Sequence, residues 1–181
     1  MYAKINNFFD FQNKNSKIRD YQDLDHIDGV SISTISANLY NVKRDDLVLF
    51  YFRNGANSAS VYTQSQIKSE NIKWNLNINQ KKVRALLINT RNANALTGKS
   101  GYESMKVLAN DISEKLTAKQ KIDEERPEKI KSNDIMFACT GTIGEKYPLK
   151  KIQNNLENLI NKIKYTQNKY VWVKAGMGIL T

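Results

Sequence analysis

Residues 137–148, FACTGTIGEKYP, bring together one cysteine, two threonines, two glycines and a glutamate, and they run into one of the chain's two prolines. The apolar run before them, DIMFAC (134–139), reads as a short buried strand, and Gly141 and Gly144 permit a sharp turn where that strand ends. A Thr-Gly pair in such a turn aims backbone N–H groups and one hydroxyl at a point outside the protein, where negative charge can be held. Thr140 and Gly141 are therefore candidate oxyanion-hole donors; the alternative is that Gly-Thr-Gly is only a loop. Cys139 is a conceivable nucleophile, but the only histidine, His26, lies in a polar loop far away in sequence, and a cysteine that ends a buried strand belongs to the core. Glu145 is either an acid/base group or a residue answering a helix dipole. In RNANALTGKSG (91–101), Asn92 and Asn94 either line a substrate pocket or cap the helix that follows.

Strands and helices must hold these loops. GVSISTISANL alternates apolar and small polar residues, DLVLFYF (46–52) is a continuous buried run, and SASVYTQS (58–65) follows a turn at RNGAN; the three read as an antiparallel meander. VRALLINT (83–90) is a further buried strand that leads directly into the asparagine loop. A helix is expected from about Gly101, with Tyr102, Met105, Leu108, Ile112 and Leu116 on one face. A charged linker (118–132), the DIMFAC strand and the loop come next. A second helix then has Pro148 in its first turn and Leu149, Ile152, Leu156, Leu159, Ile160 and Ile163 along one face. KYVWVKAGMGILT reads as a third, apolar helix with Trp172 and Tyr170 as packing residues, and the lysines of 150–174 as a solvated face. This order predicts an α/β, or α+β, layered domain with helices covering a mixed sheet. Residues 1–21 read as a loosely ordered polar leader, and the last helix, uncapped at Gly-Ile-Leu-Thr, reads as cut inside its fold.

With 181 residues, 40 % hydrophobic and 25 % charged, the chain is sized for one folded domain. It shows no run of about 18 apolar residues and no signal-peptide pattern, so a cytoplasmic protein without a membrane span is expected. One cysteine and one histidine exclude an internal disulfide and give no zinc spacing. The net charge of +10 raises a non-catalytic, nucleic-acid-binding module as the alternative function, but the lysines are diffuse and lack an arginine-rich or aromatic-interleaved patch.

Taken together and in order, VRALLINTRNANALTGKSGYESM, ACTGTIGEKYPLKKI and YVWVKAGMGILT resemble three successive motifs of the ornithine acetyltransferase family, the glutamate N-acetyltransferases of arginine biosynthesis. The upstream stretch also follows the family's opening, so the resemblance runs from about residue 22 to the end. It implies the N-terminal, α-chain part of an αββα layered, N-terminal-nucleophile-like acyltransferase, made as a precursor that cuts itself into α and β chains. The nucleophile is then the first threonine of the β chain, absent here, and two α and two β chains assemble. The implied reaction carries an acetyl group from N2-acetylornithine to L-glutamate by a ping-pong route, without cofactor or metal, acetyl-CoA being a second possible donor. Thr140 and Gly141 align with the family's oxyanion hole, and Thr181 aligns with a threonine of the substrate pocket. The chain alone is expected to be inactive. Where the family carries glycine, this chain has Arg91; if that position takes a positive φ, the replacement costs about 1 kcal/mol or more.

Overall fold

The computed structural model describes residues 25–78, 82–124, 127–167 and 170–180. Four strands form one sheet in the order β1 (Val30–Ile35), β2 (Leu47–Ala56), β3 (Val83–Asn89), β4 (Ile135–Cys139). The first three make the antiparallel meander, and β4 joins β3 in parallel. A parallel neighbour requires a crossover, and α2 (Gly98–Asp123) supplies it. The helices α1 (Glu70–Asn77), α3 (Leu149–Asn161) and α4 (Tyr170–Ile179) complete the layers.

Alternation along the strands sorts the sheet into two faces. Ile35, Leu47, Leu49, Tyr51, Ala85, Leu87, Ile135 and Phe137 point into the main core, which is closed by α1, α2 and α3 through Trp74, Met105, Leu108, Ile112, Leu116, Ile152 and Leu156. The other face carries Ile32 and Val48, flanked by Val30, Phe50 and Ile88, under Val171, Trp172 and Ala175 of α4. Trp172 lies 6.2 Å from Phe50 between ring centroids and donates its indole N–H to the Asp25 carbonyl, so it packs as expected. The layered α/β architecture read from the order of elements is the one the chain has.

Three details differ from the sequence reading. SASVYTQS is not a strand: residues 57–65 have no regular structure, Val61 is fully exposed, and β3 takes the third place in the meander. Its alternation sets only Ala59 and Val61 against Ser58 and Ser60, with Tyr62 on the serine side, giving too little large apolar surface for cross-strand packing. The crossover helix starts at Gly98 and continues to Asp123, through the first part of the segment read as a charged linker. Its buried face extends to Gln120, which donates to the Tyr51 hydroxyl and accepts the Glu128 N–H at 3.1 Å. Finally, α1 was not expected, because ENIKWNLN is mostly polar. Its polar residues have a structural use: Asn75 pairs with both backbone groups of Phe137, at 3.0 and 2.8 Å, and Trp74 donates to the Ile135 carbonyl at 2.9 Å. Together they satisfy the free edge of β4, much as Gln167 pairs with both backbone groups of Ile32 at the β1 edge. The leader read over residues 1–21 lies outside the described residues.

Register decides where the loops emerge. Ile35 pairs with Leu47, Leu47 with Asn89 and Asn89 with Cys139, so one row crosses the whole sheet. Since β1, β3 and β4 run in one direction, the segments after Ile35, Asn89 and Cys139 all leave from this row.

Candidate active site

The chain passes from β4 into the site without losing its ladder: the Thr140 N–H donates to the Asn89 carbonyl at 3.1 Å. It then turns at Gly141, φ +132°, a conformation that L side chains rarely adopt. Space closes the same position, since a Cβ there would stand 2.2 Å from the Arg91 carbonyl carbon. Beyond the turn the two loops pair with each other. Thr142 donates to the Arg91 carbonyl at 3.0 Å, Ala93 to the Thr142 carbonyl at 3.0 Å, and Gly144 to the Ala95 carbonyl at 2.8 Å. Residues 140–144 are thus fixed against residues 89–95 by main-chain bonds.

Asn89 anchors this arrangement from below. Its carbonyl holds Thr140, its side-chain amide donates to the Asn92 carbonyl at 2.9 Å, and its side-chain oxygen accepts the Tyr147 hydroxyl at 2.9 Å. Asn92, 2 % exposed, donates to the Glu145 and Lys146 carbonyls at 3.1 and 3.3 Å and accepts the Asn94 N–H at 2.8 Å. Asn94 is fully buried, donates to the Gly101 carbonyl at 3.3 Å and accepts the Thr97 hydroxyl at 2.7 Å. Asp46, also buried, extends the same support to the segment after β1 by accepting the Ala37 and Leu39 N–H groups at 2.6 and 2.8 Å.

Two donors remain. The Thr140 hydroxyl and the Gly141 N–H have no hydrogen-bond partner among the described residues, and Gly141 is exposed. The Thr140 N–H is already used by Asn89, so the pair open to a ligand is the hydroxyl of one residue and the amide of the next. Adjacent preset donors of this kind stabilise charge that develops on a carbonyl oxygen. An open cleft of about 520 Å³ lies beside the loops, lined by Tyr40, Asn41, Arg91, Glu145, Lys146 and Lys151 among others.

The neighbouring ionisable groups have other uses. Burial pushes the Cys139 thiol up to about 12, with the Tyr147 hydroxyl opposing that shift, so it stays protonated at neutral pH. Tyr147 is itself raised well above its ordinary value by the same burial. His26 sits 3.1 Å from Asp28, apart from the loops. Glu145 is exposed, pairs with Arg91 at 3.1 Å and precedes α3 instead of opening it. Arg91 has φ +73°, the positive value considered for that position. Among the described residues, no three histidine, cysteine or acidic side chains stand together as a metal site, and no helix is long and apolar enough to cross a membrane. Thr181 lies outside the described residues. Asn89, Tyr147 and Asp46 were not singled out in the sequence; an asparagine ending a buried strand and a tyrosine before Pro148 were the available signals.

The fold and the site define a class: a layered α/β protein that holds a hydroxyl and a backbone amide free on a loop at the end of a parallel strand pair. More particularly, the chain belongs to the ArgJ family, whose model matches residues 31–181. It is 30 % identical over 159 residues to the arginine biosynthesis bifunctional protein ArgJ of Caulobacter vibrioides, covering 86 % of this chain and 36 % of that protein. The protein of the same name from Prochlorococcus marinus is 28 % identical over 157 residues, covering 85 % of this chain and 34 % of that protein. The chain therefore spans about a third of the length of these relatives. Among solved structures, ornithine acetyltransferase complexed with ornithine from Mycobacterium tuberculosis matches with a TM-score of 0.74 at 20 % identity, over 84 % of this chain and 76 % of that one. The arginine biosynthesis bifunctional protein ArgJ of Bacillus halodurans matches with a TM-score of 0.68 at 25 % identity, over 84 % of this chain and 72 % of that one. The first of these likenesses is one of fold.

Proposed function

We propose that this chain is the oxyanion-bearing part of an acetyltransferase of arginine biosynthesis, which moves an acetyl group from N2-acetylornithine to L-glutamate. The observation that carries the reading is the free Thr140 hydroxyl and Gly141 N–H on a loop whose Thr140, Thr142 and Gly144 amides are tied to residues 89–95. Family membership supports it, as do the arginine-biosynthesis names of the relatives and the ornithine held by the matched acetyltransferase.

In this reading the nucleophile is the N-terminal threonine of a partner β chain. Its hydroxyl attacks the acetyl carbonyl carbon while its own α-amine takes the proton. The carbonyl oxygen gains the negative charge, and Thr140 and Gly141 donate to it. Collapse restores the C=O, breaks the C–N bond and releases ornithine once its nitrogen is protonated, leaving an acetyl ester. The glutamate amine attacks that ester through a second oxyanion at the same place, and N-acetylglutamate leaves with the threonine hydroxyl regenerated. Acetyl-CoA is the second possible donor for the first half, since a thioester carbonyl develops the same charge. No cofactor enters the scheme. Asn92 and Asn94 act by holding the loop, because their side chains are buried and bonded internally.

The test is product analysis with the complete enzyme, this chain together with its nucleophile-bearing partner. N2-acetylornithine and L-glutamate should yield ornithine and N-acetylglutamate in equal amounts, with the parallel initial-velocity lines of a ping-pong reaction. Failure to form N-acetylglutamate from either acetyl donor would overturn the reading.

A further inference from the structure

Among the described residues four non-glycines have positive φ, and three of them, Arg91, Asn94 and Leu96, lie in the loop that faces the oxyanion turn. Asparagine tolerates this region; a long side chain such as arginine is rare there. Such an outlier persists where the surrounding contacts require it. At Arg91 the backbone and the side chain grip the same turn from two directions. Its carbonyl accepts the Thr142 N–H at 3.0 Å. Its guanidinium donates to the Thr142 hydroxyl and, at 3.1 and 3.4 Å, to both carboxylate oxygens of Glu145. A glycine would keep the backbone bond with less strain, so the side-chain reach is what arginine adds at this position.

We propose that Arg91 is a positioning residue for the oxyanion loop: its guanidinium, bridging Thr142 and Glu145, clamps the turn that presents the Thr140 hydroxyl and the Gly141 N–H. The catalytic consequence rests on reading that pair as the oxyanion hole; the clamp does not. Both partners of the ion pair are partly exposed, 40 % for Arg91 and 50 % for Glu145, so the clamp sets local opening of the loop and not global stability. Lys146 and Lys151 line the same cleft and are the other charges near the pair.

Amide hydrogen exchange on the full chain reads the clamp directly. In Arg91→Gly, the Thr142 and Gly144 amides should exchange about two- to fivefold faster, with the Leu87 amide in β3 unchanged, as loss of a partly exposed ion pair implies. Glu145→Gln leaves the backbone of residue 91 as it is and should speed the same two amides; this separates loss of the clamp from the freedom of glycine. Arg91→Lys keeps the charge without the fork and should fall between wild type and Arg91→Gly. Unchanged exchange at Thr142 and Gly144 in both Arg91→Gly and Glu145→Gln would overturn the proposal. In the complete enzyme, Arg91→Gly should lower kcat with both KM values unmoved. If Arg91→Gly loosens the loop while Thr140→Ala leaves turnover intact, the clamp stands and the oxyanion reading falls. If Thr140→Ala abolishes turnover while the loop amides ignore both clamp variants, the reverse holds.

Discussion

Residues 57–67 and 140–145 are both exposed stretches rich in small and hydroxyl-bearing residues, yet they are held in different ways. One contains SASVYTQS and the other TGTIGE. In the first, two turns are local: Ser65 donates its N–H to the Thr63 hydroxyl at 3.1 Å, and Ile67 to the Ser65 hydroxyl at 3.2 Å. In the second, hydrogen bonds cross the fold, from Thr140, Thr142 and Gly144 to Asn89, Arg91 and Ala95. Local serine and threonine turns shape a segment without fixing it to the domain. Long-range main-chain bonds fix it, and they leave the adjacent Thr140 hydroxyl and Gly141 N–H without a partner among the described residues. The comparison teaches that hydroxyl content does not fix donors in place; being seated on the end of a parallel strand pair does.

The strongest way to break this contrast is Gly141→Ala. Its methyl would meet the Arg91 backbone at 2.2 Å in a left-handed conformation, so the two loops must separate. Turnover of the complete enzyme should fall on the order of 100- to 1000-fold, the scale of losing one oxyanion donor, as measured by steady-state kinetics. Gly144→Ala sharpens the point within the same loop. Gly144 also has a positive φ, +80°, but nothing stands within 4 Å of its would-be Cβ. Thermal denaturation should show only the backbone cost of about 1 kcal/mol.

Alkaline titration probes what lies beneath the loop. The folded state raises Cys139 from 9.0 to about 12 and Tyr147 above its ordinary value, so it holds protons that the unfolded chain releases. The stabilising contribution is complete below pH 9 and is lost as pH climbs toward 12, so the melting temperature should decline through that window. Cys139→Ser should flatten part of the decline. A smaller effect is expected at the other stretch: Val61, fully exposed, should tolerate Val61→Ser with stability unchanged within about 0.5 kcal/mol in chemical denaturation.

The main elements were legible because strong apolar patterns specify them: DLVLFYF and VRALLINT could be little other than buried strands, and Met105, Leu108, Ile112 and Leu116 mark one helix face. The turn at Gly141 was legible as a turn through its two glycines and its place after a strand. What could not be read were polar residues whose roles depend on distant partners. Asn75 satisfies a strand edge 62 positions away, Asn89 bonds Tyr147 58 positions on, and α1 exists largely to deliver Asn75 and Trp74. Arg84 is similar: it is nearly fully buried in β3, and its guanidinium takes the Phe52 and Arg53 carbonyls and Glu128 where β2 departs from regular register. Such residues lack any periodicity of their own. The strand-like alternation of 58–65 misled for the opposite reason, since a local pattern with little large apolar surface does not specify a strand.

The most direct measurement is kcat for acetyl transfer by the complete enzyme carrying Thr140→Ala or Thr140→Ser. Serine keeps the hydroxyl, and alanine removes it while leaving the Thr140 N–H bond to Asn89 available. The account predicts a loss on the order of 100- to 1000-fold for alanine with KM little changed, and turnover near wild type for serine. Equal turnover in alanine and wild-type enzymes would contradict it.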